Sequence, residues 1–421
     1  MGKFKFKFID LFSGIGGFHQ AMRYLGGKCV MASEIDEDCI NTYQKNFTID
    51  KMLGDIRQID TSQIPEFDVL CAGFPCQPFS KAGGQEGFRD DKRGNLFYVI
   101  LDILDNHPEV KFIILENVRN LADRLENWDV IRSELMSRNF FITEDPIILS
   151  PSDFGIPQVR ERVYILGLRK DVRDNDVLKN GYIHREDLKL DEFYQKCKIG
   201  DAFKILEKDI PNNYLVSSEE ESIIIAWDEF RMNVDLRLAR PIWVQYFGVN
   251  NSVDAEFYQI VNLDKMPDWK KVIVRRNREL YKINKVFINK WIEKYNILAQ
   301  NKLFQKFEWN CGIETLSMRN TIIQIRQSGI RVKRSNFYPA LVAMVNTPII
   351  WDDNQNSYRR ITPREAANIQ SFNKRFKFVG SEKQIYKQLG NSVNVRILKI
   401  LGNSLFKLGV WGAENEQENK Y

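Results

Sequence analysis

The feature that most constrains this chain is a repeat of architecture in its first 170 residues, where apolar strand-like runs alternate with polar turns and helix-like stretches. Residues 6–12 read as a strand, followed by a Gly-rich turn and a helix through Tyr24. A second strand at 29–33 ends at Glu34-Ile35-Asp36, and a short third at 52–56 carries Asp55 near its end. A fourth at 67–72 leads into Gly73-Phe74-Pro75-Cys76-Gln77-Pro78, and a fifth at 111–115 ends at Glu116-Asn117. Residues 140–149 and 162–168 read as an antiparallel pair at one edge. Repeated strand–helix–strand units predict an α/β fold, a doubly wound and mostly parallel sheet with helices on both faces. The polar residues that interrupt the pattern fall at the carboxyl ends of these strands, where such sheets open their ligand crevice, so they point to one shared site.

From 171 to 351 the alternation dissolves into an irregular, aromatic and increasingly basic stretch. A chain of 421 residues is long enough for a second domain. Between positions 268 and 334 sixteen Lys/Arg stand against five Asp/Glu, a local balance of +11. The whole chain is only +5, so the remainder is at −6. Positive charge gathered in one segment is the footprint of a polyanion partner. A helix is expected at 363–370, with Thr362 as N-cap, Pro363 in the first helical position and Glu365 three residues after the cap. Another is expected from about 394 to 408.

Several classes of function are excluded. Cys29, Cys39, Cys71, Cys76, Cys197 and Cys311 have no paired C-x-x-C spacing, and His19, His107 and His184 have no ligand spacing. Neither a disulfide framework, a metal site nor a Ser/His/Asp triad is expected. The first eight residues alternate charge with aromatics, as a strand does and a signal peptide does not. No apolar run is long enough to span a membrane, so the expected location is cytoplasmic.

The chemistry is carried by short segments. Asp10-Leu11-Phe12-Ser13-Gly14-Ile15-Gly16-Gly17 follows a strand and opens a helix, a turn over which a ligand can approach the backbone, although the G-x-G-x-x-G spacing is not met. Glu34 is placed to accept from ribose hydroxyls and Asp55 from an adenine amino group. Cys76 sits between two prolines that stiffen its loop, a suitable mount for a nucleophile. Glu116 follows a buried strand, where desolvation raises a carboxyl pKa and lets it carry a proton. Arg160 and Arg162 alternate with other residues, so both project to one side as two guanidinium forks.

This ordered set resembles the cytosine-C5 DNA methyltransferases of bacterial restriction-modification systems. The resemblance rests on the Gly turn, Glu34, Asp55, Pro75-Cys76-Gln77, Arg93-Gly94-Asn95-Leu96-Phe97, Glu116-Asn117-Val118 and Gln158-x-Arg160-x-Arg162. Towards the C-terminus it adds Arg360-Ile361-Thr362-Pro363-Arg364-Glu365 and Gln388-Leu389-Gly390-Asn391-Ser392-Val393. It covers roughly residues 6–168 and 358–408 and implies a Rossmann-like, class I S-adenosylmethionine-dependent methyltransferase fold. The expected catalytic domain spans 1–175, completed by 380–421, and a smaller irregular target-recognition domain spans 176–379. Phe12, Gly14, Gly16, Glu34, Asp55, Ile56, Leu96 and Asn391 would bind S-adenosylmethionine, with no metal. Cys76 would attack C6 of a cytosine flipped out of double-stranded DNA. Glu116 would hold N3 and the exocyclic amine, Arg162 would contact O2, and Arg160 would support the catalytic loop. Arg326, Gln327, Arg331, Lys333 and Arg334 are candidates for DNA contact. Such an enzyme is expected to be a monomer whose partner, a cognate restriction endonuclease, is functional rather than physical. The alternative within the resemblance is a tRNA cytosine-C5 methyltransferase, whose compact recognition region the long basic insertion disfavours.

Overall fold

The structure is a computed structural model, and it describes residues 5–75, 95–172, 178–237, 239–248, 262–312, 314–341 and 347–409. The chain divides into two compact units. One contains the chain up to Cys197, a short stretch beginning at Pro339 and everything from Ala366; the other contains Lys198–Tyr338 and Asn346–Glu365.

The first unit is built on the expected sheet. Strand β1 (Phe6–Leu11) leads into helix α1 (Gly17–Tyr24), β2 (Gly27–Ser33), α2 (Glu37–Asn46) and β3 (Met52–Leu53). The chain then returns through β4 (Val69–Gly73), α3 (Asn95–Asn106), β5 (Phe112–Val118) and α4 (Leu125–Ser137). The short strands β6 (Phe140–Ile142), β7 (Ile147–Leu149) and β8 (Gln158–Val159) precede β9 (Arg162–Arg169). The sheet order is β3-β2-β1-β4-β5-β9-β6, with β7 also pairing with β9. The first five strands are mutually parallel, and β9 runs antiparallel to β5. Strand order reverses between β1 and β4, which opens a crevice at their carboxyl ends.

Burial follows from composition. Ile9, Leu11, Leu70, Ile113, Leu115 and Ile165 are fully buried, as central strands covered on both faces require. Two element bounds differ from the expectation in informative ways. The third strand stops at Leu53, because the Asp55 side chain accepts from the Arg57 N–H and caps a single 3-10 turn, Ile56–Gln58. The fifth strand continues to Val118, so Glu116 lies inside the sheet rather than beyond it.

Order also exists where the sequence shows no repeat. The second unit contains α5 (Ser218–Asn233), α6 (Asp268–Ile283) and α7 (Lys285–Lys294). Its sheet is formed by β10 (Ile242–Trp243), β11 (Lys306–Asn310), β12 (Thr321–Arg326), β13 (Gly329–Arg334), β14 (Ile349–Asp352) and β15 (Ser357–Arg360), in the order β10-β11-β13-β12-β14-β15. Trp227 stacks on Phe307 at 4.6 Å and meets Trp291 at 4.9 Å, and both indole N–H groups donate to backbone carbonyls, so these large rings are buried without an unmade bond. The aromatics interleaved with basic residues are therefore mostly core: Tyr281, Trp291, Trp309 and Tyr338 are buried, while Trp269 is 62% exposed.

The C-terminal elements α8 (Pro363–Ile369), α9 (Glu382–Asn391) and α10 (Val395–Leu408) follow. The Thr362 cap is formed as expected: the Glu365 N–H donates to Thr362 Oγ1, and the Glu365 carboxylate accepts from the Thr362 N–H. Helix α10 packs closely on α1, where a Cβ on Gly402 would come within 2.7 Å of Leu25. No helix among the described residues is long and apolar enough to cross a membrane.

Candidate active site

The turn after β1 forms the floor of the crevice. Phe12 (φ 53°), Gly14 (φ 52°) and Gly16 (φ 87°) all take left-handed backbone conformations, which is costly for a phenylalanine and easy for glycine. Glu34 is the fixed point of this floor. One of its oxygens accepts from the Gly14 N–H at 2.8 Å, and the other accepts from the N–H groups of Ile35 and Asp36 at 2.8 and 2.9 Å. Ser33 Oγ donates to the Gly54 carbonyl at 2.7 Å, and the Glu34 N–H donates to Leu53, joining this turn to the end of β3.

The structure brings part of the expected pocket together. Glu34 lies between Gly14 and Gly54, and at either glycine an added Cβ would find no atom within 4 Å. Phe12 and Leu96 are half-buried against the same core. Ser13 Oγ is buried with no partner among the described residues. The Asp55 carboxylate is engaged by Arg57, whose Nε lies 2.9 and 3.1 Å from its two oxygens, and this pairing holds its pKa below the usual range. It therefore stays an acceptor. The Ile56 side chain is in the core. Asn391 ends α9 and is exposed, and no described contact joins it to Glu34 or Asp55.

The second half of the site lies at the ends of β4 and β5. Gly73, the last residue of β4, is the register partner of Glu116 on β5, so the strand end that leads toward position 76 is the one beside Glu116. Cys76 itself lies outside the described residues. Asn117 Nδ2 donates to the Phe74 carbonyl at 3.3 Å, tying the Glu116-Asn117-Val118 segment to the start of that loop. Glu116 is buried, and burial pushes its carboxyl pKa up, partly opposed by the charges of Arg162 and Arg160. Arg162 Nε stands 3.1 Å from Glu116 Oε1. Both arginines thus act on the Glu116 charge, but their partners differ, and Arg160 lies between β8 and β9 rather than in a strand. Arg160 is buried and donates to the backbone carbonyls of Leu341 at 3.0 Å and Ser392 at 2.9 Å. It thereby fastens the segments that carry these two carbonyls.

Sequence reasoning missed three features. Arg119 Nη1 donates to both carboxylate oxygens of Glu161 at 2.9 Å, linking the end of β5 to the segment that carries both arginines. Both amide atoms of Gln158 are buried without a partner among the described residues. A polar layer underlies the glycine turn: burial pushes the Asp10 carboxyl well up, and His19, whose pKa is lowered to about 3, bonds Tyr43 at 2.7 Å. Asp10 and Gln158 stand within segments that the sequence singles out; the layer's partners come from separate elements and carry no shared spacing.

A strand-reversal crevice lined by a glycine turn, a carboxylate held by backbone N–H groups and a buried acid beside an arginine sits on a class I methyltransferase fold. The same fold is found in the S. pombe Dnmt2 methyltransferase, with a TM-score of 0.55 at 17% identity over 96% of this chain and 98% of that one. The family model for C-5 cytosine-specific DNA methylases matches residues 6–407, and the chain belongs to that family as a DNA (cytosine-5-)-methyltransferase. It is 31% identical to the Type II methyltransferase M.HgiCI of Herpetosiphon aurantiacus over 95% of this chain and 98% of that protein. It is 30% identical to the Type II methyltransferase M.HpaII of Haemophilus parainfluenzae, over 96% and 90% respectively. The family is S-adenosylmethionine-dependent, and the open floor over Gly14 and Gly54, with Glu34 held between them, fits such a group.

Proposed function

We propose that this enzyme methylates C5 of one cytosine within a specific double-stranded DNA sequence, through a covalent bond from Cys76 to C6, and that it is the protecting partner of a restriction endonuclease. The observation that carries the mechanism is Glu116, a buried carboxyl with a raised pKa at the strand position paired with the end of β4. A carboxyl that holds its proton can donate to the ring nitrogen N3, which draws electrons from C6 and favours thiolate addition there. The addition turns C5 into an enamine carbon. S-adenosylmethionine, when bound, supplies the methyl group that C5 takes. Loss of the C5 proton to a base then expels the Cys76 thiolate and restores the aromatic ring. Arg162, next to Glu116, is placed to hold O2 and limit how far the acid's pKa rises. The ring atoms are inaccessible in a stacked duplex, so the cytosine must be flipped out at a cost of about a few kcal/mol. The second unit, with its basic strands, would supply target recognition, and Phe12, Gly14, Gly16, Glu34, Asp55, Ile56, Leu96 and Asn391 the cofactor contacts. The protective role is supported by relatives named as Type II methyltransferases.

The test is methyl transfer from labelled S-adenosylmethionine to unmethylated duplex DNA, with tRNA in parallel and the modified positions sequenced. Label at C5 within one short DNA motif is expected. Cys76→Ser should lower turnover by at least about a hundredfold while leaving cofactor affinity by calorimetry within about twofold. Comparable turnover in that variant removes the covalent route, and label in tRNA alone reassigns the substrate.

A further inference from the structure

The first unit has a groove of about 620 Å³ beside helices α1 and α2. Helices α1 and α2 each return from the carboxyl end of one parallel strand to the amino end of the next, so their last turns lie at the amino ends. Those last turns supply Arg23 and Tyr24 from α1 and help bring Phe47 just after α2; Lys374, Arg375 and Phe376 come from the loop between α8 and α9. No carboxylate lines the groove among the described residues. The side chains of Arg23, Lys374 and Arg375 make no hydrogen bond or ion pair among the described residues.

The loop that presents these charges is held in place. Phe372 meets Phe376 at 4.5 Å, Phe376 meets Phe378 at 5.3 Å, and Phe47 meets Phe376 at 6.1 Å. Asn46 exchanges two 2.7 Å hydrogen bonds with the backbone of Lys377, and Gln20 accepts from Asn373 Nδ2 at 2.9 Å. Cations on a fixed concave surface lose little freedom on meeting an anion. Arg23 sits in the last turn of α1, where the helix dipole favours a cation and explains it locally. That account does not reach Lys374 and Arg375, which lie on no helix. The chain outside positions 268–334 carries a net charge of −6, so a groove without carboxylates does not follow from a generally basic composition.

We infer that this groove is a second, sequence-independent contact for DNA, gripping the phosphates of a segment other than the one in the crevice. The inference rests on the assignment of DNA as substrate. A polymer is the fitting occupant because the same molecule that fills the crevice offers a dense row of phosphates elsewhere along its length, and a second grip would keep the enzyme on long DNA between turnovers.

The experiment compares the full-length enzyme with its Arg23→Gln/Lys374→Gln/Arg375→Gln variant. Binding is measured against salt concentration, on a long duplex lacking the target sequence and on a short duplex just filling the crevice; turnover is measured on a short duplex that carries the target. Removing three phosphate-binding cations should reduce the salt slope on long DNA by about 2–3 units and its affinity at low salt about tenfold or more. Turnover on the short target and cofactor affinity should be unchanged. The double variant Lys374→Gln/Arg375→Gln, confined to loop positions, should give an intermediate slope. An unchanged slope, or equal losses on long and short DNA, overturns the inference. So does tight binding of ATP that the variant loses while its DNA slope stays put, since the groove then serves a free nucleotide. If the unaltered enzyme methylates no DNA at all, it is the substrate assignment that fails, and the slope still decides the groove.

Discussion

At the scale of single residues, the proposed mechanism rests on a carboxyl tuned by opposing effects. Burial raises the Glu116 pKa, while Arg162 at 3.1 Å and Arg160 pull it down. If the protonated form is the working one, activity falls as pH rises through that raised pKa. Removing the Arg162 charge disfavours the carboxylate, so Arg162→Gln should move the alkaline limb of the pH–rate profile to higher pH even as it lowers the maximum. Glu116→Gln should lower kcat by about 10²- to 10⁴-fold and remove that limb altogether. A limb that keeps its position in Arg162→Gln would show that Glu116 is not the titrating group. Glu116 and Arg162 could be singled out in the sequence because each stands beside an apolar strand-like run, although Glu116 proves to lie within β5 and Arg160 in the link between β8 and β9. The sequence could not show that Arg160 donates to the Leu341 and Ser392 carbonyls, since those acceptors are backbone atoms 181 and 232 positions away.

At the scale of elements, the parallel strands and the glycine turn were readable because covered central strands are near-continuous apolar runs with polar ends. The second sheet was not, although β11 alternates cleanly as Lys306-Phe307-Glu308-Trp309-Asn310. Its strands are two to six residues long, and helices and turns of similar composition separate them, so no period accumulates. One junction in this unit was only half visible. The Thr362–Glu365 cap could be read from spacing, but Glu365 is also half of a buried ion network. Arg359, fully buried, reaches Glu365 through two 2.8 Å bonds and Asp352 through one of 2.5 Å. Arg359→Met would strand two buried carboxylates and should cost about 3–5 kcal/mol, whereas Thr362→Ala should cost about 1 kcal/mol. Urea unfolding with an unchanged m-value is the measurement. Near-equal costs for the two variants would mean that the network adds nothing to the cap.

At the scale of the whole molecule, the concentration of positive charge acquires a location. Strand registers pair Glu308 and Gln324 with Arg331, Asn310 and Ile322 with Lys333, and Arg326 with Gly329, so these residues share the face opposite Phe307, Trp309, Ile323, Ile330 and Val332 in the core. Of the candidates for DNA contact, Arg334 is turned away to Glu314 and the Cys311 carbonyl, and Arg331 is paired with Glu308 at 2.5 Å. Arg326 and Lys333 are left without a carboxylate of their own among the described residues. Burial and the neighbouring arginines lower the Lys333 pKa, and burial together with Arg331 lowers that of Arg326. Crowded, partly desolvated cations weaken a fold that has no use for them, so this face makes physical sense as a surface completed by phosphates. Arg326→Gln/Lys333→Gln should therefore push two properties in opposite directions. DNA affinity should fall at low salt and the salt slope should shrink by about 1.8 units, roughly 0.9 for each phosphate no longer neutralised. The free protein should become more stable, by about 0.2–1 kcal/mol for each like-charge repulsion removed. Weaker binding together with lower stability would instead mark the pair as structural, and unchanged binding with higher stability would place the DNA on another face of the unit.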